Sequence, residues 1–417
     1  MTTLLIILAL LAFALIVLED VIHVNKAQST LFLGSLAWLL LFIHRPAGLS
    51  VESVHESLLE NLTEIATLWL FLMAAMTFVA FLNHKGLITA LIYRILPSQV
   101  SEKRLMFIVA VFAFVFSSLA DNITATLVCV TLVLSLGLPA AKAVRYTVLV
   151  VFAVNSGGVS LITGDVTTLM IFLADKVHIQ NLLLLALPAF GAVMMLTWMM
   201  SRQSQEIITV PRAESQYERD PVGIMIAVLF LMTIVATIVL NVMAGVPPVL
   251  TFLFGLSVMF LMGRFLYPSD HRENLLDYIR VIEFDTLLFF LGILLLVGML
   301  KEIGVLDNLI HLYDGLPAVV ANYVMGLLSA LVDNVPLTAA LLKADPTLSL
   351  ADWLSLTYAV GVGGSLLIIG SAAGIVAMSK VEAVTFGSYL RYVGYLIAAY
   401  STGYVGSYLI GLLLVAV

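Results

Sequence analysis

The 417 residues include a single cysteine, Cys129, so neither an intramolecular disulfide nor a cysteine zinc cluster is available. Set in an apolar run, Cys129 reads as packing. Charge is nearly as scarce. Only 11% of residues are Asp, Glu, Lys or Arg, against roughly 25% in a soluble domain. The sequence has no His-Glu-x-x-His helix and no Gly-x-Ser-x-Gly elbow, which counts against an intramembrane hydrolase. It is read as a non-enzyme without a cofactor and without a nucleic-acid partner. The opening Met1-Thr2-Thr3 has no basic residues and no small-residue cleavage site follows, so 4–18 is expected to be a retained first helix.

What is abundant is apolar: 62% of the chain. Apolar runs at 4–18, 65–82, 182–200, 222–240 and 287–300 approach, with their flanks, the ~20 residues that cross a bilayer core. A transmembrane barrel shows short alternating segments instead. The fold class is therefore an all-α polytopic membrane protein.

The basic residues set the topology. If 105–136 and 318–342 are re-entrant hairpins, Arg45, Lys176, Lys301 and Lys343 fall on one side. The other fifteen, Arg212, Arg219 and Arg272 among them, fall on the opposite side, which the positive-inside rule makes cytoplasmic. This gives about ten crossings plus two hairpins in an inner membrane, with both termini outside. The net charge of -7 adds nothing to this. Segments 87–96 and 275–281 read as interfacial helices.

Two halves repeat. Glu64 and Glu283 each open an apolar helix, Asp121-Asn122 recurs as Asp333-Asn334, and the Gly-rich stretch ending at Gly164 recurs at Gly370. The three matches come in the same order, and the spacing between partners shrinks only slightly from the first to the last, as loop shortening would produce. With the topology above the repeats are inverted, the plan of many secondary transporters. The domains are then 1–61 (N-terminal helices), 62–200 (repeat 1), 201–220 (cytoplasmic linker), 221–282 (connecting helices) and 283–417 (repeat 2).

Few ionisable groups fall within the apolar segments: Asp121, Asp165 and Asp333, with Glu64, Glu283 and Asp285 nearer helix ends. A carboxylate at mid-bilayer costs at least about 2.5 kcal/mol. No lysine or arginine stands among them in the sequence, so the expected partner is a mobile cation: Na⁺, Li⁺ or H⁺. Oxygen ligands surround them in Asn122, Thr124, Asn155, Ser156, Thr167, Thr168, Asn334, Ser365 and Ser371. The glycines at 157–158 and 363–364 let helices unwind and expose carbonyls. Na⁺ is assigned to Asp121, Asn122, Asn155 and Asp165, with Asp121 expected nearest the ion and Glu64 a candidate proton carrier. The plainer readings are an N-cap for Asp165 with Thr167, helix-packing glycines, and Ser117 and Ser329 bonded to backbone.

These residues, Asp-Asn at both hairpin tips, Asn155-Ser-Gly-Gly, Gly164-Asp-Val-Thr-Thr and Gly370-Ser-Ala-Ala-Gly, resemble the NhaD-type sodium/proton antiporters of the ion transporter superfamily. The resemblance covers nearly the whole chain. It implies exchange of Na⁺ or Li⁺ for H⁺, favoured at alkaline pH, and a homodimer in the lipid bilayer. Dicarboxylate carriers of that superfamily have hairpin tips like Ser-Asn-Thr, where this chain has an acid. The rival readings are an arsenite or di/tricarboxylate carrier of the superfamily, and a passive cation channel.

Overall fold

The computed structural model describes residues 2–17, 22, 24–45, 49–202, 206–210, 220–267, 274–307, 311, 313 and 315–416. Residues 203–205 and 211–219 of the expected linker lie outside the described residues, and so do Arg212, Arg219 and Arg272. In chain order the helices are α1 (Thr2–Val17), α2 (Lys26–Ile43), α3 (Val51–His84), α4 (Leu87–Ile95), α5 (Glu102–Leu119), α6 (Asn122–Ser135), α7 (Ala140–Gly158), α8 (Val166–Leu173), α9 (Ile179–Ser201), α10 (Pro221–Ala244), α11 (Pro248–Leu266), α12 (Tyr278–Val281), α13 (Phe284–Glu302), α14 (Ala318–Ser329), α15 (Asn334–Ala344), α16 (Leu350–Gly363), α17 (Ala372–Lys380), α18 (Phe386–Leu390) and α19 (Val393–Ala416).

Among the described residues seven helices, α2, α3, α9, α10, α11, α13 and α19, are long and apolar enough to cross a membrane. The protein is a polytopic, nearly all-helical membrane protein. The 16-residue α1 is shorter. The two other expected crossings are helix pairs broken at 159–165 (α7 and α8) and 364–371 (α16 and α17). Both expected interfacial segments are helical: α4, and a 3₁₀ turn at Leu275–Asp277 running into α12.

One departure from an all-helical fold occurs in the linker. Strand β1 (Gln99–Ser101) pairs antiparallel with β2 (Ile207–Thr209), Val100 opposite Ile208. The β-branched Ile207, Ile208 and Thr209 suit a pleated strand, a signal that the polar character of 201–220 obscures.

Local chemistry starts and stops these helices. Ser50 caps α3 through Ser53 N, Ser101 caps α5 through Arg104 N, and Ser349 with Asp352 forms a reciprocal capping box on α16. With 34 residues, α3 is about 51 Å long at 1.5 Å per residue. That exceeds a hydrocarbon core of about 30 Å, and its first turns carry the exposed Glu52, His55, Glu56 and Glu60.

Helix α13 is central, 67% of its span buried, whereas α10 and α11 are only 33% buried and form the rim. Gly34 and Gly292 let α2 lie against α13: a Cβ on Gly34 stands 2.7 Å from the Gly292 carbonyl oxygen. Trp38 Nε1 donates to Leu295 O (2.8 Å), Asn61 Nδ2 to Leu294 O (3.2 Å) and Trp69 Nε1 to Leu287 O (2.7 Å). Three side chains from α2 and α3 thus pin one helix through carbonyls that already serve its own ladder.

The segments around the Asp-Asn motifs are helix-break-helix units, α5 and α6 around 120–121, α14 and α15 around 330–333. Glu102 at the start of α5 lies 3.0 Å from Lys142 in the first turn of α7. Asn322 of α14 donates to Asp352 O in the first turn of α16 (2.8 Å).

Ion pairs hold the helix ends and loops together. Lys85 pairs with Asp220 (3.6 Å), Lys142 with Glu102 and Glu206 (2.5 Å), and Arg145 with Glu102 (3.8 Å). Elsewhere, Lys176 pairs with Asp345 (2.5 Å) and Lys343 with Glu64.

Candidate ion-binding site

The two Asp-Asn breaks and the two broken helices meet at one cavity of about 580 Å³. Two of its backbone contacts occur twice, once around each Asp-Asn motif. Ser117 Oγ donates to Val154 O (2.6 Å), and Ser329 Oγ to Val360 O (2.7 Å). A Cβ on Gly157 runs into Phe114 O, and one on Gly363 into Gly326 O. The partners keep the register of the sequence motifs: Phe114 and Ser117 stand before Asp121 as Gly326 and Ser329 stand before Asp333, and Val154 and Gly157 stand before Gly164 as Val360 and Gly363 stand before Gly370. The serines do bond to backbone, but to the neighbouring broken helix and not to their own. Gly157 and Gly363 are close-packing glycines.

Asp165, 3% exposed, is where the site converges. Its Oδ1 accepts from Thr167 N (3.0 Å), capping α8. Its Oδ2 accepts from Asn122 Nδ2 (3.3 Å) and Asn334 Nδ2 (3.2 Å), one amide from each Asp-Asn motif. Asn122 Nδ2 also reaches Asn155 Oδ1 (3.3 Å), and Asn155 Nδ2 donates to Ser371 Oγ (3.0 Å) and Val151 O (3.1 Å). A continuous polar chain, Asn334, Asp165, Asn122, Asn155, Ser371, thereby joins four backbone breaks. Nearby, Ser156 Oγ and Asp333 Oδ1 are buried without a hydrogen-bond partner. Unsatisfied oxygens at such depth carry a cost that a bound cation or proton removes.

The two hairpin acids differ. Asp121 is partly exposed and caps α6, accepting from Thr124 N (2.9 Å) and Thr124 Oγ1 (2.7 Å). Asp333 makes no such cap. Both line the cavity, with Glu283, whose Oε2 accepts from Thr286 Oγ1 (3.3 Å). The Asp121 carboxylate is engaged by its own helix, while the asparagine amides converge on Asp165.

Other expected site residues take supporting places. Thr168 Oγ1 donates to Gly158 O (3.3 Å), holding the first break closed on itself. Ser365 Oγ donates to Val362 O (2.5 Å) in the last turn of α16, and its carbonyl accepts from Tyr389 OH (2.5 Å). Glu64 is not in this cavity. It pairs with Lys343 at a second cavity of about 270 Å³, which Thr67 and Lys301 also line.

One expectation is corrected outright. A basic group does stand among these carboxylates: Lys26 lines the cavity, its Nζ 3.9 Å from Asp333 Oδ2. In sequence Lys26 follows Asn25 and falls in the set of basic residues assigned to the cytoplasmic side. Packing of α2 on α13 brings it in, together with Asn25, which donates to Asp285 Oδ2 (3.0 Å). A lysine beside Asn at a helix entry, where its charge opposes the helix dipole, was the available signal.

Known proteins resemble this chain along nearly its whole length. A family model described as citrate transporter matches residues 1–363. The chain is 31% identical to the Na⁺/H⁺ antiporter NhaD of Vibrio cholerae serotype O1, over 97% of this chain and 90% of that one. It is 30% identical to the NhaD of Halomonas elongata, over 98% and 87%. Sodium/proton antiporter 1 of Arabidopsis thaliana is 30% identical over 94% of this chain and 70% of its own. The chain therefore belongs to the citrate transporter family and, along nearly its whole length, is related to the NhaD antiporters.

Proposed function

We propose that the protein exchanges Na⁺ or Li⁺ for H⁺ across a cytoplasmic membrane. The observation that carries this reading is the Asp165 cluster: a buried carboxylate that gathers an asparagine from each hairpin, at a cavity holding Asp121, Asp333 and Glu283 as well. A carboxylate at that depth takes a proton when no metal cation is bound, and a protonated one offers a cation poor charge. Na⁺ and H⁺ therefore exclude each other at Asp165, and mutual exclusion at one shared site is sufficient for antiport. Asn122, Asn155 and Ser156 supply the neutral oxygens, and Asn334 ties the second hairpin to the same carboxylate. The relatives named as sodium/proton antiporters support the assignment.

Alternating access follows from the duplicated architecture. The larger cavity is lined by Glu283 and Thr286, the smaller by Glu64 and Thr67, and each residue of one pair is the repeat counterpart of one in the other. This correspondence supports inverted repeats, with hairpins that enter and leave at one end. The larger cavity is the open entrance and the smaller one the closed exit, and movement of the hairpin units against α2, α3 and α13 exchanges them. The domain limits, both termini outside and a homodimer belong to the same reading.

A tricarboxylate carrier is the second reading, because the family description names citrate and Lys26 offers one cation. The charge balance opposes it, since four carboxylates face that one ammonium. Everted vesicles with a preformed pH gradient and a pH-sensitive dye separate the readings. NaCl or LiCl should collapse the gradient at alkaline pH. If neither does, and citrate is taken up, the antiport reading is wrong.

A further inference from the structure

Two residues in the larger cavity forgo the arrangement their local sequence favours. Lys26 occupies the first turn of α2, which contains no acid, although an ammonium at a helix N-terminus opposes the dipole. Asp333 occupies the N-cap position of α15 without capping it. The reason is visible by comparison with the other hairpin. Asp121 is held by the amide and hydroxyl of Thr124, and the residue in the place of Thr124 in the second motif is Pro336, which has neither donor. Asp333 is thus left with one oxygen unpartnered and the other 3.9 Å from the Lys26 ammonium.

Lys26 is held in place from the scaffold side. Its Nζ lies 4.9 Å from the centre of the Phe289 ring on α13, and α2 is fixed on α13 by the Gly34 and Gly292 contact. Asp333 instead belongs to a hairpin tip. The pair joins a scaffold helix to a hairpin, at the cavity where the carboxylates collect. Asp121, Asp165 and Glu283 face the same cavity, and Asp285 sits beside Lys26 through Asn25.

We infer that Lys26 is a tethered counter-cation: its ammonium neutralises Asp333 while the second hairpin is in this position, and so sets how tightly the site holds Na⁺. This rests on the exchange reading above and adds to it. An entering Na⁺ meets a cavity already carrying one positive charge, so Lys26 weakens Na⁺ binding and speeds its release. When the hairpin moves, Asp333 leaves a lysine that cannot follow. The charge on the moving unit then differs between the empty and loaded carrier.

The test is Na⁺ titration of the purified full chain in detergent at alkaline pH, read as the shift in thermal unfolding midpoint, with vesicle exchange assays in parallel. K26Q should lower the half-saturating Na⁺ concentration about threefold or more, the order expected from removing one unit charge within several ångström of the site even at the dielectric of water. K26R should stay near wild type. K26C provides the second route: it should bind Na⁺ tightly, and aminoethylation of its thiol should restore the wild-type value in the same folded preparation. Cys129, the other thiol, is buried. Half-saturation in K26Q and K26C that is unchanged or raised overturns the inference while leaving exchange standing. A wild type that shows neither a Na⁺-dependent shift nor exchange removes the functional reading, and this inference falls with it.

Discussion

Asn334 Nδ2 donates to Asp165 Oδ2 across 3.2 Å and 169 residues of sequence. It is the direct bond between the second hairpin and the carboxylate of the first broken helix. Asn122 supplies the matching bond from the first hairpin. Replacing Asn334 with Ala removes one of these donors and leaves a buried carboxylate oxygen less well satisfied, at a cost of about 1–3 kcal/mol. N334A should therefore raise the half-saturating Na⁺ concentration in vesicle exchange by roughly tenfold or more, whereas N334D, which puts a second acid beside Asp165, should impair exchange further.

Glu64 and Lys343 pair at the wall of the smaller cavity, which the exchange reading takes as the closed exit. It links the long α3 of the scaffold to the end of α15, so opening on that side has to break it. K343Q should populate the opposite-facing state more. The readout is thiol labelling of T67C, which lines that cavity. Labelling should accelerate several-fold in K343Q/T67C relative to T67C alone, and equal rates in both proteins refute the latch.

At Gly157 and Gly363 an added Cβ collides with a backbone carbonyl, Phe114 O and Gly326 O respectively. Backbone has no flexible end to move aside. G157A and G363A should each destabilise by about 1–3 kcal/mol or more. The check is the thermal midpoint in detergent. Ala at Gly191, inside α9 where a Cβ meets nothing within 4 Å, is the control and should leave the midpoint unchanged or raise it slightly.

Asp220 caps α10 through Gly223 N (2.9 Å) and accepts from Tyr267 OH (2.6 Å). Burial acts to raise its carboxyl, but the Tyr267 hydroxyl, the Gly223 amide and the Lys85 ammonium prevail and hold it below the usual carboxylate range. A carboxyl lowered on folding contributes stability that is complete above its unfolded value near 3.9 and is lost as pH falls through the folded value. D220A should cost about 1 kcal/mol at neutral pH through the lost cap. It should also flatten the acid limb of a stability-against-pH curve. A limb as steep as that of wild type contradicts this role.

The apolar runs made the spanning helices legible, because ~20 uncharged residues have few alternatives to crossing a bilayer. The recurring motifs made the helix breaks legible: Asp121-Asn122 and Asp333-Asn334 mark the two helix-break-helix units, and Gly157 and Gly363 sit where backbones touch. What sequence did not yield were pairings made by packing. Lys26 and Asp333 lie far apart along the chain, and only the bed formed by α2 on α13 brings them together. Glu64 looked like a partner of the site until the structure paired it with Lys343. The equal-looking hairpin acids are unequal because Thr124 has a donor-bearing side chain and amide where Pro336 has neither.

The central claim is that Na⁺ and H⁺ compete for Asp165. It is tested most directly by adding NaCl to the purified protein in weakly buffered detergent solution and following proton release with a pH dye. Wild type should release protons on Na⁺ binding, saturably and at alkaline pH, and D165N should release none while remaining folded. Release from D165N equal to that of wild type, or Na⁺ binding to wild type without any proton release, contradicts the account.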